Sequence, residues 1–185
     1  MPFPPLPALI AEALEAQGYA EPTAVQAAVV APEAQGRDLV VSAQTGSGKT
    51  VAFGIAMADS LLSGETNQWS RAPLALVIAP TRELALQVSR ELAWLYGRTQ
   101  MRIATCVGGM DPSKERRALQ QGAQIVVGTP GRLRDHLERG ALDLSAISHV
   151  VLDEADEMLD MGFREDLEEL LEAAPQERRT LLFSA

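Results

Sequence analysis

The sequence has a single cysteine, Cys106, among its 185 residues. One cysteine cannot form an internal disulfide, and it cannot supply a cysteine-based metal cluster. Such scarcity is typical of proteins that work in a reducing compartment. We therefore expect Cys106 to be an ordinary buried core residue.

Long apolar runs are also missing. No stretch approaches the roughly 20 apolar residues that a membrane-spanning helix needs, and the opening MPFPPLPALI lacks the basic region and cleavage site of a secretory signal. A hydrophobic content of 46% still allows one proper core. The composition predicts a single globular domain over residues 1–185, located in the cytoplasm and without a membrane partner.

Basic residues are scarce as well. The net charge is −9, and the chain has only two lysines, Lys49 and Lys114. Proteins that hold nucleic acid by bulk electrostatics usually carry a basic face, so the composition argues against that class. Any contact with nucleic acid must be local, through helix N-termini, backbone N–H groups and single arginines.

What the sequence does contain is a regular alternation of apolar runs and helical patterns. Strands are predicted at residues 38–42, 74–79, 102–107, 124–128, 149–152 and 180–183. Helices are predicted at 6–18, after 23, and at 49–62, 82–96, 112–121, 132–139 and 163–173, with a surface loop at 63–73. This order predicts an α/β fold with a mostly parallel sheet covered by helices on both faces. Such sheets bind ligands at the carboxyl ends of their strands.

A glycine-rich loop, SAQTGSGKT at 42–50, lies between the first predicted strand and the helix that follows. Gly46 and Gly48 let backbone N–H groups turn toward a phosphate, Lys49 can reach the β and γ phosphates, and the Thr50 hydroxyl can bind Mg²⁺. An ordinary Gly/Ser turn is the alternative. Ala43 stands where the strict pattern has glycine, yet the Lys-Thr pair after a strand favours nucleotide binding.

A second motif, VVLDEAD at 150–156, ends a hydrophobic strand in consecutive acids. Asp153 is placed to hold Mg²⁺ beside the phosphate loop, and Glu154 to orient or deprotonate a water. Acidic clusters are usually solvated surface. The position at the end of a buried strand, in a chain that also has a phosphate loop, favours a catalytic role for these residues and for Lys49.

These two motifs occur in an order that resembles the DEAD-box RNA helicases. The other matching segments are GYAEPTAVQ at 18–26, PTRELALQ at 80–87, GG at 108–109, TPGR at 129–132 and the final SA at 184–185. The resemblance spans nearly the whole chain and is to the first RecA-like domain of such an enzyme, a P-loop NTPase fold. Alanine is common at the Ala43 position in that family.

The resemblance implies ATP and Mg²⁺ as cofactors and a segment, residues 1–26, that reads the base. Gln26 would contact the adenine edge, because an amide both donates and accepts hydrogen bonds, and Tyr19 would stack on the base. The alternative for Gln26 is an ordinary glutamine on a helix surface. Thr50 and Asp153 would hold Mg²⁺, directly or through water. The implied phosphate-loop positions are Ala43, Gln44, Thr45, Gly46, Ser47, Gly48, Lys49 and Thr50.

Two further segments each follow a predicted strand and open a helix, which makes each a site where free N–H groups can bind phosphate. Simple helix capping is the alternative for both. In the family that the chain resembles, these segments and the glycine pair hold the RNA sugar-phosphate backbone without reading its sequence. The implied RNA-binding residues are Pro80, Thr81, Arg82, Gly108, Gly109, Thr129, Pro130, Gly131 and Arg132.

The resemblance also implies a partner domain. The family's third motif is S-A-T, whereas this sequence stops after Ala185, and every motif of the second RecA-like domain is absent. Asp156 and Ser184 are implied to couple the two domains. Of the residues outside the motifs, Trp94 is predicted to pack, His136 and His149 to be structural or exposed, and Met158 and Met161 to fill the core.

The sequence therefore predicts part of an ATP-hydrolysing RNA helicase of the DEAD-box type. Two rivals stay open at this point. A DNA helicase of a related group differs in substrate, and duplexes that differ only in the 2′-OH distinguish it. An ATP-dependent RNA clamp uses the same site, so no residue here separates it from an unwinding enzyme.

Overall fold

The computed structural model describes residues 1–64 and 70–185. The predicted surface loop at 63–73 falls partly outside these residues. The described parts of that segment, 63–64 and 70–73, contain neither helix nor strand.

Six strands form one sheet in the order β1-β6-β5-β2-β4-β3, and every pair is parallel. Each strand lies within one residue of, or inside, a predicted one, and the α/β prediction with a parallel sheet is confirmed. Three neighbouring interior strands, β5, β2 and β4, are buried at every position, as expected for strands covered on both faces. The strand bounds are Leu39–Ser42 (β1), Ala75–Ile78 (β2), Ile103–Cys106 (β3), Ile125–Gly128 (β4), His149–Leu152 (β5) and Arg179–Ser184 (β6).

Helices cover both faces of the sheet. Along β2, side chains alternate between two cores: Val77 belongs to the core under α1–α4, while Leu76 and Ile78 belong to the core under α5–α8. Among the described residues, no helix is long and apolar enough to cross a bilayer. The helix bounds are Ala8–Ala16 (α1), Ala24–Val30 (α2), Lys49–Leu62 (α3), Arg82–Leu95 (α4), Pro112–Gln121 (α5), Pro130–Glu138 (α6), Ala155–Asp160 (α7) and Arg164–Ala173 (α8).

The sequence did not predict α7, which is only six residues long. A helix of that length shows no apolar period of its own, so its pattern merges with that of α8. The prediction that both nearby methionines fill the core is wrong for one of them. Met158 is fully buried, whereas Met161 follows the end of α7 and is 49% exposed.

The remaining packing predictions are confirmed. Cys106 and both histidines are buried, so the histidines are structural rather than exposed. Trp94 packs at the edge of the first core, where its ring stacks on Tyr19 with the ring centroids 5.6 Å apart.

His149 gives the fold a pH dependence that can be tested. It opens β5, is 3% exposed, and its Nδ1 lies 2.9 Å from Ser148 Oγ. Burial, helped by the charge of Arg179, lowers the pKa of His149 to about 4. In the unfolded chain a histidine has a pKa of roughly 6.5, so between these values the unfolded state binds a proton that the folded state does not.

We therefore expect the free energy of unfolding to fall by about 3 kcal/mol as the pH drops from 7 to 4, at about 1.4 kcal/mol per pKa unit. Urea denaturation at several pH values measures this loss. His149→Asn keeps a polar group near Ser148 but does not titrate. Its loss of unfolding free energy between pH 7 and pH 4 should therefore be smaller than that of the parent by about 3 kcal/mol. Equal slopes for the two proteins would contradict the assignment.

Candidate functional site

The loop at residues 43–48 connects the carboxyl end of β1 to the first turn of α3. Gly46 and Gly48 have φ values of 83° and 80°, a region that suits glycine. A Cβ atom at Gly48 would lie 2.5 Å from Gln26 Nε2, so the close approach also requires glycine there. At the tip of the loop Gln44, Thr45 and Gly46 are exposed, whereas Ala43 is buried. The loop is therefore open to a ligand and anchored at its base.

Lys49 is the charged centre of the site. It is the first residue of α3, and its Nζ lies 3.1 Å from Asp153 Oδ1 and donates to Glu154 Oε1. The lysine side chain is 8% exposed and the Asp153 side chain is fully buried. Burial alone lowers the pKa of Lys49, but the hydrogen bond to Glu154 and the charge of Asp153 outweigh burial and raise it. Lys49 is therefore charged and neutralises two acids.

Asp153 reaches this position because it directly follows β5, and its backbone N–H donates to the carbonyl of Ile78 on β2 at 2.9 Å. Burial raises the pKa of Asp153, and the charge of Lys49 opposes that rise. Lys49 sits at ion-pair distance, yet neither carboxylate oxygen accepts a well-aligned hydrogen bond from the described part of the chain. A buried carboxylate with unused lone pairs suits a hard cation such as Mg²⁺. Thr50, which is also buried, follows Lys49 on α3.

Glu154 has a strained backbone. Its φ of 53° makes it the only non-glycine residue with positive φ among residues 1–64 and 70–185. This conformation costs about 1–3 kcal/mol in a non-glycine residue and is concentrated at functional sites. Here it lies in the turn between β5 and α7, at the residue before α7 begins, and lets the carboxylate turn back toward Lys49.

Gln26 is tied to the phosphate loop. Its Oε1 accepts from the backbone N–H of Thr23 at 3.0 Å, while Thr23 Oγ1 accepts from the backbone N–H of Gln26, and together these bonds form a capping box. The Gln26 Nε2 donates to the carbonyl of Gly48 at 3.1 Å. One N–H and one lone pair of the amide are left, which is the pair that an adenine edge needs.

Thr23 is a residue of this site that the sequence interpretation missed. The spacing P-T-x-x-Q matches the capping-box pattern and could have identified it. Tyr19, by contrast, already stacks one ring face on Trp94. Contact of Tyr19 and Gln26 with a base stays a prediction.

The helix-opening segments contain both capping and charge. Thr81 caps α4, because its hydroxyl accepts from the N–H of Leu84 at 3.2 Å, which agrees with the capping alternative. Thr129 precedes α6 without a side-chain cap, and Pro130 takes the first helical position. Pro80 and Pro130 are buried, while Gly131 is exposed.

Two arginines from these helices meet at the loop that follows β3. Arg82 Nη2 lies 3.7 Å from Met110 Sδ, and Arg132 Nη2 donates to the Met110 carbonyl at 3.2 Å. Gly109 has a φ of 81°, and a Cβ atom there would lie 2.6 Å from Arg82 Nη1. Because β2, β4 and β3 are neighbours in the sheet, the three predicted RNA-binding segments converge at one edge. Gly108, like Gly109, is exposed there.

The two residues predicted to couple domains lie next to the phosphate loop and to Glu154. Ser184 ends β6, and its carbonyl accepts from the N–H of Ala43 at 2.8 Å, at the start of the phosphate loop. Asp156 is exposed in the first turn of α7, two residues after Glu154. Their coupling role stays a prediction.

A second buried cluster was not predicted from the sequence. Glu115 Oε2 accepts from the N–H of Val107 at 2.9 Å, and its Oε1 lies 2.8 Å from His136 Nε2 and 3.6 Å from Arg132 Nε. Ligand atoms of Cys106, Glu115 and His136 all lie within 4.8 Å of one another. Burial, with the nearby charge of Glu115, raises the pKa of the Cys106 thiol to about 12. A glutamate in a polar helix gives no sequence signal for such a contact.

A cavity of about 420 Å³ lies at the opposite, amino ends of β5 and β6 and is no part of this site. His149 and Arg179 line it together with Pro4 and Pro5.

Comparison with known proteins agrees with this geometry. Residues 23–185 match the family model described as DEAD/DEAH box helicase. The chain is 47% identical over 176 residues to the DEAD-box ATP-dependent RNA helicase CshA of Geobacillus kaustophilus, covering 95% of this chain and 37% of that protein. It is 48% identical over 177 residues to the ATP-dependent RNA helicase DbpA of Bacillus subtilis, covering 95% of this chain and 36% of that protein.

A solved structure is also similar, that of a DEAD box protein from the hyperthermophile Methanococcus jannaschii. The TM-score is 0.87 at 40% sequence identity, and the match covers 97% of this chain and 48% of that one. The chain thus spans about a third of the length of these two curated relatives and about half of the solved chain.

Proposed function

Because the chain belongs to the DEAD/DEAH box helicase family, we propose that it is the ATP-binding, RecA-like domain of an ATP-dependent RNA helicase. In this proposal residues 1–26 lead into the domain and contribute Gln26 to the base site. Residues 43–50 bind the phosphates, and a second RecA-like domain of the same protein completes the enzyme.

The observation that carries the proposal is the ion-paired cluster of Lys49, Asp153 and Glu154 beneath the glycine loop. A charged lysine that is paired with two acids at the end of a phosphate loop can change partners, from the carboxylates to a phosphate. When ATP binds, its phosphates pair with Lys49, and the carboxylates of Asp153 and Glu154 lose their ion pairs with the lysine. Asp153 and Thr50 would then hold Mg²⁺, which supplies positive charge to the phosphate oxygens when bound.

Glu154 is proposed as the general base. Its carboxylate is partly exposed, with 14% of its side chain accessible, so a water molecule can reach it. Its left-handed backbone aims that carboxylate at the phosphate loop rather than along α7. Once Lys49 turns to a phosphate, Glu154 is free to orient a water and take its proton.

The second function proposed for the same edge is binding of the RNA backbone. Arg82, Arg132 and the exposed glycine pair converge on one loop. Backbone N–H groups and two arginines bind phosphate locally, so a chain of net charge −9 can bind a polyanion. These contacts fix the position of the RNA and carry no sequence information. Unwinding belongs to the longer protein, and a cytoplasmic location stays a prediction.

Base choice tests the proposal. The N–H and lone pair of the buried Gln26 amide that make no bond to Thr23 or Gly48 match adenine, whereas guanine presents a carbonyl where adenine has its amine. A two-bond contact of this kind is worth about 1–3 kcal/mol of discrimination, so the chain should bind ADP roughly 5- to 150-fold more tightly than GDP. Isothermal calorimetry with the two nucleotides measures the ratio.

Two variants separate base reading from helix capping. Gln26→Ala should lose the adenine preference, because it removes the amide. Thr23→Ala weakens the same capping box but keeps the amide, so the preference should persist even where overall affinity falls. Equal affinity of the parent chain for ADP and GDP would remove Gln26 from the base site.

A further inference from the structure

We propose that Glu115 is a positioning residue that holds the glycine pair at 108–109 and the arginine at 132 in one fixed arrangement for the RNA backbone. This inference rests on the proposed RNA binding. Glu115 lies in α5, is 5% exposed, and cannot touch RNA itself. It acts through the groups that its two carboxylate oxygens contact.

One oxygen fixes the glycine loop. Glu115 Oε2 accepts from the N–H of Val107, the residue directly before Gly108, at 2.9 Å. Val107 is fully buried and follows β3. A charge-assisted bond at this point determines how the chain leaves the strand, and therefore where the exposed glycine N–H groups lie.

The other oxygen fixes the helix that carries Arg132. Glu115 Oε1 lies 2.8 Å from His136 Nε2 and 3.6 Å from Arg132 Nε. His136 and Arg132 are four residues apart, so they share one face of α6. A carboxylate oxygen accepts hydrogen bonds, so this contact requires a proton on Nε2 of His136. Its Nδ1 has no hydrogen-bond partner among the described residues.

These contacts leave Arg132 little freedom. Glu115 lies on one side of its guanidinium, and the Met110 carbonyl accepts from Nη2 on another. The arginine side chain is 13% exposed, so only part of the group faces solvent. An arginine already ordered in its binding position loses less rotamer freedom when it contacts a phosphate. Glu115 thus raises RNA affinity without contacting RNA.

A metal site built from Cys106, Glu115 and His136 explains the cluster less well. Arg132 already places a positive charge near the carboxylate, and both carboxylate oxygens are engaged. A dication between these side chains would have to displace the arginine. Positioning accounts for the hydrogen bonds of both carboxylate oxygens and for the ion pair with Arg132.

The test is the affinity of the 185-residue chain and its variants for a single-stranded uridine decamer, from NMR titration of the Gly108 and Gly109 amides. Glu115→Ala should weaken RNA binding about tenfold, the effect of freeing one arginine and one loop, and leave ADP affinity unchanged. Glu115→Gln can still accept from Val107 N–H but lacks the charge beside Arg132, so it should lose only about threefold. Glu168→Ala, on the exposed face of α8, removes the same charge as a control and should bind RNA like the parent.

A second readout is the ¹⁵N spectrum of the His136 ring. The parent should show a proton on Nε2 throughout, and Glu115→Ala should show exchange of the proton between Nε2 and Nδ1. RNA affinity of Glu115→Ala equal to that of Glu168→Ala would overturn this inference alone, and if Glu115→Ala does not fold, the same equality for Glu115→Gln decides. A parent chain that binds no RNA would overturn the proposed function with it. A Zn²⁺-induced rise in melting temperature that Cys106→Ala abolishes would overturn the positioning role of Glu115, since the cluster would then be a metal site.

Discussion

Joining this chain to the region that follows it in a full-length helicase should raise RNA-stimulated ATP hydrolysis by about 10³- to 10⁵-fold over the 185-residue chain alone. The size of the effect is that of an arginine supplied to the transferring phosphate in related GTPases. The described site offers Lys49, Asp153 and Glu154 but no arginine beside them. The two arginines at this edge, Arg82 and Arg132, contact Met110 instead. Steady-state phosphate release with and without RNA measures the difference.

The longer protein also allows the role of Glu154 to be isolated. Glu154→Gln keeps the size of the side chain and an oxygen that can accept from Lys49, but it cannot take a proton. The restored hydrolysis should fall by about 10²- to 10⁴-fold, the usual contribution of a general base, while ATP affinity persists. Strand separation by the 185-residue chain on its own would contradict the two-domain mechanism.

The second large effect is expected at Lys49. Lys49→Ala should weaken ATP binding about 30-fold or more, because loss of one partner from a buried charge pair costs roughly 2–5 kcal/mol. The fold should survive with a lower free energy of unfolding. Asp153 would be left fully buried without its cation, which costs about 3 kcal/mol, the lower end of the range for broken buried pairs. Calorimetry and urea denaturation measure the two losses.

The double variant Lys49→Ala with Asp153→Asn separates the two effects. Removal of the stranded charge should restore most of the stability, because an amide is far less costly to bury than a carboxylate. ATP affinity should not recover, since neither change returns a cation to the phosphates. Wild-type affinity in Lys49→Ala would show that the phosphates bind elsewhere.

The sequence predicts the fold well because its signals are local. Strands β2 and β4 are hydrophobic at nearly every position, which indicates burial on both faces, and Gly48-Lys49-Thr50 comes at the end of a short loop that follows β1. Both patterns can be recognised within ten residues. The order β1-β6-β5-β2-β4-β3 is different, since it depends on crossovers that no short pattern encodes.

The contacts of the site were less predictable because they join residues that are far apart in the sequence. That Asp153 and Glu154 both pair with Lys49 requires a partner more than 100 residues away in sequence, and the left-handed backbone of Glu154 comes from the turn between β5 and α7. Glu115 shows the limit most clearly. Its helix reads as polar and solvated, yet one position turns inward because Val107 and His136 offer it hydrogen bonds.

The hydrogen bond from Gln26 to the carbonyl of Gly48 links the residue proposed to contact the base with the loop proposed to bind the phosphates. If the base meets Gln26 while the phosphates meet the loop, one amide belongs to both recognition events. Tightening at one end is then felt at the other, without movement of any domain. Base selectivity and phosphate affinity are then linked, and a nucleotide with the wrong base would also bind more weakly through its phosphates.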